Sequence, residues 1–536
     1  MAAKPLFSVG GKPFFALGGQ PGTNNTYFRE DLEGFWRAAK LMRMNTAEMQ
    51  VFWELLEPEE GVFDFTQVDM LIDECRKHGV KMILVWFATW KNGAMKYAPQ
   101  WVKNDRKRFV RVTNNNGVEQ HVLSSHCRET KKADEKAFCK LVEHLKEVDS
   151  EEQTVIGIQV QNEVGIFGTC VRDHGEEANA DYAAPVPAGL IDYIEQLPEC
   201  DAYYAWDMNG RKRSCNWAET FGRDGEEFLT AYSISSYIGD EAAAAKKIYD
   251  IPMFVNCWVQ GRDFENPGAD YPSGGPQHKV FEIWKYAAPA LDALCPDNYE
   301  LDYNGFTYYC NKYGRENNPL YIPESSSSTF CSWQPYAAAG EHDLSGYSIM
   351  GRMFNIVAED GTVDESRLGM VQSFRQISDI SPLLAKYYGT GKIHAIIQTP
   401  GASFKLLHMD GWKALATFTP NPSTTKAMTQ VESRHKPEGS MAACLIIQTG
   451  ENEFYMVGNE LAVHFREIQP VTEIWPEHAT VRTSQSISYL VCEEGYFDEN
   501  GEFVVFNKRN GDSNDYGIVF SPKTRVMHIV MDRCQY

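Results

Sequence analysis

Val155-Ile-Gly-Ile-Gln-Val-Gln-Asn162-Glu163 is an apolar run that stops on an amide and a carboxyl. Pro319-Leu-Tyr-Ile-Pro323-Glu324 ends on a carboxyl in the same way. Near-continuous apolar strands of this kind are covered on both faces, which is the condition of strands in parallel sheets. Working outward, the chain up to about Tyr388 repeats the pattern. Strands are expected at Pro13 to Leu17, Thr46 to Phe52, Val80 to Phe87, Val155 to Val160, Phe254 to Trp258, Leu291 to Cys295, Leu320 to Ile322 and Leu344 to Ile349. Helices are expected from Arg29 to Met42, Val68 to His78, Ala133 to Val148, Gly225 to Tyr249 and Val280 to Tyr286. In the first of these, Leu32, Phe35, Trp36, Ala39 and Met42 recur at helical spacing and give one buried face. Strand then helix, repeated about eight times, implies an α/β fold closed into a (β/α)8 TIM barrel. A doubly wound sheet is the rival, but neither G-x-G-x-x-G nor G-x-x-x-x-G-K-[ST] occurs, and Gly389-Thr-Gly-Lys392 reads as a turn.

A helix from about Ser366 to Tyr388 is expected to close the barrel, giving a catalytic unit over residues 1–390. Beyond Ile393 the texture changes to short alternating runs: His394 to Gln398, Phe404 to Leu407, Ala414 to Phe418, Cys444 to Thr449, Glu453 to Val457, Ser488 to Cys492, Phe503 to Asn507 and Arg525 to Met531. Asp410-Gly411, Asn500-Gly501 and Asn510-Gly511 punctuate them. Residues 391–536 therefore read as a smaller antiparallel β domain, a sandwich or an open barrel.

Composition narrows the function. A net charge of -22 over 536 residues argues against a nucleic-acid partner, which needs clustered Lys and Arg. No apolar stretch reaches the roughly 18 residues of a membrane span, and the start of the chain lacks the apolar core of a secretory signal. The 13 cysteines form no C-x-x-C pair. They read as reduced thiols of a cytoplasmic protein rather than a disulfide framework or a zinc site. Neither cofactor nor metal is called for. A homo-oligomer is compatible with the sequence, which carries no sign of an interface.

In a barrel, reactive groups sit at the C-terminal ends of strands. Glu163 and Glu324 end the fourth and seventh strands, so they should meet across the mouth. Paired carboxylates in that position suit glycosidic cleavage, one protonating the leaving oxygen while the other attacks the anomeric carbon. His121, His126 and His342 are isolated, Cys127 and Cys170 lack a placed partner, and neither H-E-x-x-H nor G-x-S-x-G occurs.

With those residues in view, the chain resembles the clan A retaining glycosidases, whose signature is Asn-Glu after strand four and Glu at strand seven. More closely it is similar to the β-galactosidases of glycoside hydrolase families 35 and 42. Trp53-Glu-Leu-Leu-Glu57-Pro-Glu-Glu-Gly61-Val-Phe63-Asp-Phe65 matches their W-x-x-x-E-P-x-x-G-x-[FY]-[DN]-F segment. Leu291-Asp-Ala-Leu-Cys-Pro-Asp297-Asn-Tyr299 resembles their sixth strand. The resemblance covers about residues 8–390, and the β domain looks like an extension of a bacterial family 35 branch. It implies Glu163 as acid/base, Glu324 as nucleophile and Asn162 on the substrate 2-hydroxyl, with the two carboxyls about 5–5.5 Å apart. Glu57 would orient a hydroxyl or support the barrel mouth, and Tyr299 would line the sugar site. Trp86, Trp90, Trp101, Trp258 and Trp333 are candidates for the apolar sugar platform, of which only one or two should touch substrate. One departure concerns the sugar. Strand three ends Phe87-Ala-Thr-Trp-Lys91-Asn92, without the Ala-Glu pair that reads galactose hydroxyls in the better-known family 35 members. A terminal β-galactoside is expected first. A β-glucoside or transglycosylation by the same mechanism, and a non-catalytic sugar-binding barrel, stand as alternatives.

Overall fold

The structure, a computed structural model, describes residues 4–168, 170–261, 266–351, 353–418, 441–467, 487–498, 501–514 and 517–533. Eight parallel strands form its centre: β1 (Ala16–Gly19), β2 (Thr46–Phe52), β3 (Lys81–Phe87), β4 (Val155–Gln159), β5 (Met253–Trp258), β6 (Ala293–Asn298), β7 (Leu320–Ile322) and β8 (Leu344–Ile349). Each of β1 to β5 pairs with the next in chain order, β7 pairs with β8, and β8 pairs with β1. Pro323 lacks an N–H and splits the seventh position in two. Leu320–Ile322 pairs with β8, while Glu324–Ser325 pairs with β6, so the barrel closes around that break. The principal outer helices are α1 (Glu33–Met42), α2 (Thr66–His78), α3 (Arg128–Asp149), α4 (Gly225–Lys246), α5 (Phe281–Ala287), α6 (Tyr303–Tyr313), α7 (Gln334–Glu341) and α8 (Leu368–Tyr387). One follows each strand.

An N-terminal hairpin, Phe7–Val9 paired with Lys12–Phe14, closes the end where the strands begin. Phe7 meets Phe254 and Tyr321 edge-on, with centroids 6.2 and 5.0 Å away. The expected strand Pro13 to Leu17 thus joins two elements, the second hairpin arm and β1. The sixth strand runs on through Pro296 to Asn298 instead of stopping at Cys295, and this places Asp297 inside the barrel. Helices α6 and α7 escape the period test for different reasons. Buried positions on α7 run from Gln334 to Ala339 without a break, so it shows no polar face. Tyr and Asn dominate α6, whose start is fixed by the Asp302 side chain accepting from Gly305 N.

Beyond α8 lie two antiparallel sheets. Their strands are β9 (Ile393–Ile397), β10 (Phe404–Met409), β11 (Trp412–Thr417), β12 (Ala443–Gln448), β13 (Glu453–Asn459), β14 (Leu461–Glu467), β15 (Ile487–Phe497), β16 (Phe503–Lys508), β17 (Ile518–Phe520) and β18 (Val526–Arg533). One sheet has the order β9-β12-β13-β18-β15-β16 and the other β10-β11-β14-β17. Of the two expected forms the sandwich is the one found, and β14 and β17 are strands that the sequence reading did not mark. Cys444 and Ile446 on one face of β12 pack between the sheets, while Ala443, Leu445 and Ile447 join the barrel core. Side chains alternate along a strand, so a strand buried on both faces is apolar on both, as β12 is from Ala443 to Ile447. The barrel wall that receives it is α7 and α8, where Gln376 Nε2 donates to Gly458 O and Thr524 O. Twelve cysteines in the described residues are free thiols, and Cys534 lies outside those residues. No described helix is long and apolar enough to cross a membrane.

Candidate active site

Past Gln159 the backbone of strand β4 turns sharply, with positive φ at Gln161 (66°) and Glu163 (43°). Non-glycine residues hold such angles at a cost of order 1–3 kcal/mol each, so the surroundings must enforce them. Two sets of bonds do so. The loop after β3 runs alongside: Asn162 N donates to Trp90 O, Asn92 N to Asn162 O at 3.2 Å, and Gly93 N to Glu163 O at 3.0 Å. Gly93 has φ +61°, and a Cβ there would lie 2.7 Å from Phe167 Cβ, so glycine is required for this approach. From β5, Asn256 Oδ1 accepts Glu163 N at 2.8 Å.

Behind the turn sits a buried clamp. Gln161 Oε1 accepts Trp90 N at 3.1 Å, and Gln161 Nε2 donates to Asp134 Oδ2 at 2.8 Å. Asp134, on α3, also accepts Trp86 Nε1 (3.0 Å), Thr89 Oγ1 (2.5 Å) and Tyr237 OH (3.1 Å). Glu241 on α4 completes the group, and burial holds its carboxyl well above the usual range, with Asp134 adding to the effect. One carboxylate thereby ties both strand ends to two helices.

Three carboxyls converge in front of the turn. Glu163, Asp297 and Glu324 each present an oxygen, all within 4.8 Å of one another, and expose only 7%, 2% and 4% of their surface. Charges so close and so poorly hydrated cannot all be ionised at neutral pH. Burial and then the Glu324 charge raise the Glu163 pKa to about 7, with Lys91 and hydrogen bonds from Asp297 and Asn92 pulling the other way. Asp297 is pushed well above the ordinary carboxyl range, again by burial first and then by Glu324 and Glu163. Its Oδ2 accepts Asn256 Nδ2 at 2.8 Å. Asn92 Nδ2 donates to Glu163 Oε2. Glu324 accepts Tyr299 OH at 3.0 Å and Gln20 Nε2 at 3.4 Å. The Asn162 amide has its oxygen toward Lys91 Nζ at 3.2 Å. Converging oxygens are the donors a hard divalent cation takes. Lys91 is the positive charge that the chain itself brings to them, and a metal-free site stays an expectation.

Of the residues singled out by sequence, Asn162, Glu163, Tyr299 and Glu324 are brought together. Trp258 ends β5 beside Asp297, keeps part of its surface exposed and packs on Phe167 with centroids 4.8 Å apart. Of the two roles expected for Glu57 the geometry favours support of the barrel mouth, and two expected ring contacts, Trp90 and Trp333, are corrected. Glu57 is buried, with Oε2 accepting Trp53 Nε1 at 3.0 Å and Oε1 accepting Gly61 N at 2.8 Å, so it holds its own loop. Trp90 is buried edge-on to Tyr237. Trp333 is buried beside Phe306, its Nε1 donating to Phe330 O. A ring without free surface cannot stack on a sugar. Trp86 is likewise buried, and Trp101 packs on Trp53 and donates to Glu57 O. Sequence reasoning missed Lys91, Asn92, Asn256 and Asp297 as site residues. The available signal was a polar residue inside or just past an apolar barrel strand.

A parallel barrel with facing carboxyls at the C-terminal ends of its strands defines the class. The particular likeness is to glycoside hydrolase family 42: its model, described as Beta-galactosidase, matches residues 24–193, and Domain of unknown function (DUF5597) matches residues 370–521. The second begins inside α8, the helix against which the sandwich packs. Beta-galactosidase Pbg of Clostridium perfringens is 26% identical over 349 residues, which are 59% of this chain and 46% of that protein. The chain therefore matches less than half the length of this curated relative. Among solved structures, β-galactosidase from the psychrophilic Marinomonas ef1 is 13% identical, covering 70% of this chain and 62% of that one at a TM-score of 0.49. The catalytic domain of β-amylase from Paenibacillus polymyxa is also 13% identical, covering 68% and 99% at 0.49. The fold itself rests on the strand order given above. The chain resembles the clan A β-galactosidases of family 42.

Proposed function

We propose that the chain is a retaining exo-glycosidase that releases a terminal β-linked hexose, galactose before glucose. The observation that carries this reading is the carboxyl pair at the barrel mouth, Glu163 with its pKa near 7 facing Glu324 within 4.8 Å. Retention uses carboxyls about 5–5.5 Å apart, whereas inversion needs roughly 6.5–9.5 Å to admit a water. The nearest-oxygen distance therefore favours retention.

Glu163 enters as the acid and gives its proton to the glycosidic oxygen as that bond breaks. Glu324 attacks the anomeric carbon, with Tyr299 donating to the oxygen that stays free. Water then displaces Glu324 while Glu163, now ionised, takes the water proton back. Asp297, held protonated by its setting, donates toward Glu163 and supports the anion that exists between the two steps. Asn162 is assigned to the substrate 2-hydroxyl and Trp258 to an apolar sugar face. Lys91 and Asn92 stand where a galactose-reading carboxylate was looked for, and this keeps the β-glucoside reading and transfer to a sugar acceptor alongside. A 2-deoxy-2-fluoro glycoside is expected to leave an ester on Glu324. A label on another carboxyl overturns the assignment, and silence on a full panel of nitrophenyl glycosides favours a sugar-binding barrel.

A further inference from the structure

Between α1, α8 and the turn from β17 to β18 lies a cleft of about 460 Å3. Arg43 follows α1 and precedes β2, so the cleft reaches the end of the barrel where strands begin, opposite the carboxyl cluster. Four cations line it, Arg43, Arg375, Lys523 and Arg525, against one carboxylate, Asp379. Acids outnumber bases 73 to 51 in the chain as a whole, so this local excess runs against composition.

Asp379 is already fully used. Arg43 Nη1 and Arg525 Nη2 lie 2.5 and 2.6 Å from the same oxygen, Oδ1, and Arg525 Nε lies 2.8 Å from Oδ2. One negative charge thus holds two guanidiniums. Arg375, one turn earlier on α8, and the Lys523 ammonium have neither a carboxylate nor a hydrogen-bond partner among the described residues. Arg375 is exposed, and partial desolvation and the nearby Arg43 hold its guanidinium below the ordinary range, with Arg525 adding to this against the pull of Asp379. Gln372, also lining the cleft, has a buried Oε1 with no partner among the described residues. Leu41, Leu368, Val371 and Pro522 supply apolar wall.

We propose that this cleft is a binding site for a tetrahedral oxyanion, either free phosphate or the phosphate monoester of a sugar-sized molecule. Guanidinium forks match phosphate oxygens in pairs, and a phosphate dianion would offset the surplus charge that Asp379 leaves. The apolar wall and Gln372 suit the carbon skeleton and a hydroxyl of an ester. Such a ligand touches the barrel through Arg43 and Arg375 and the sandwich through Lys523 and Arg525. Binding to the folded state alone then strengthens their docking. The site is independent of the chemistry assigned to Glu163 and Glu324.

The test is calorimetric titration of the full chain with inorganic phosphate and, separately, glucose 6-phosphate, with ionic strength held constant by sodium chloride. Saturable one-to-one binding and a rise in Tm are expected. The Arg375→Gln, Lys523→Gln double variant should bind at least tenfold more weakly. Neither side chain makes a bond in the fold, and an unchanged Tm without ligand will verify that. Tighter binding of the ester identifies an organic phosphate, and equal binding identifies the free anion. Heat no greater than the chloride blank, or undiminished affinity in the double variant, overturns the proposal.

Discussion

Replacing Glu324 with Gln keeps the shape of the site and removes one charge, so it isolates what that charge does to Glu163. The two carboxyls approach within 4.8 Å. At that distance two unit charges interact by roughly 3.5 kcal/mol at an effective dielectric of about 20, and by roughly 0.9 kcal/mol in water. Divided by about 1.36 kcal/mol per pKa unit, this brackets a shift of roughly 0.6 to 2.5 units. The Glu163 pKa, about 7 in the parent, should therefore fall by roughly one to two units in Glu324→Gln. It should stop short of the ordinary value of 4.5, because burial is the larger cause and persists. The assay is a carbon NMR titration of protein labelled at the glutamate carboxyl carbon, with Glu163→Gln identifying the resonance. Parent enzyme trapped as the 2-fluoro ester should behave alike, since the ester also neutralises Glu324. A Glu163 pKa that stays in place or rises in Glu324→Gln refutes the electrostatic account of this site.

Stability should report the same carboxyl. A folded-state pKa above the unfolded one gives stability that is present below about 4.5 and lost as pH rises through about 7. Glu163→Gln escapes that loss, so its Tm should exceed the parent's at pH 8, by roughly 1–3 kcal/mol of stability, and match it at pH 4; the reverse order in calorimetry contradicts the assignment. Asp134→Asn leaves donors from Trp86, Thr89, Gln161 and Tyr237 facing an amide. Urea unfolding should show a loss of about 2–4 kcal/mol, and kcat should fall with KM little changed, because the clamp sets the Glu163 turn. An unaltered kcat would leave Asp134 a purely structural residue. Ending the chain after Tyr388 uncovers the faces of α7 and α8 that meet Ala443, Leu445 and Ile447, and the barrel alone should aggregate; a soluble, fully active barrel would show that the sandwich is dispensable. Gly93→Ala forces a Cβ onto Phe167 at a positive φ, and should cost about 1–3 kcal/mol, read as a lower urea midpoint.

The sequence alone determined the alternation of strand and helix, and with it which carboxyls end barrel strands. Val155 to Glu163 and Leu320 to Glu324 are legible because each is a largely apolar run, buried on both faces, that stops on a carboxyl at the barrel mouth. The sandwich was legible for the same reason, through period-two runs such as Ala414 to Phe418. What surrounds Glu163 was not legible. Lys91, Asn256 and Asp297 reach it from β3, β5 and β6, and which side of a strand faces inward depends on barrel register. The expected sixth strand stopped at Cys295, before Pro296, so Asp297 drew no role although its segment resembled a sixth strand. Trp90 and Trp333 looked like sugar contacts in the linear chain, yet packing placed them against Tyr237 and Phe306. The pKa of Glu163 belongs wholly to the tertiary level, because burial and the approach of Glu324, 161 residues away in the chain, exist only once the barrel has closed.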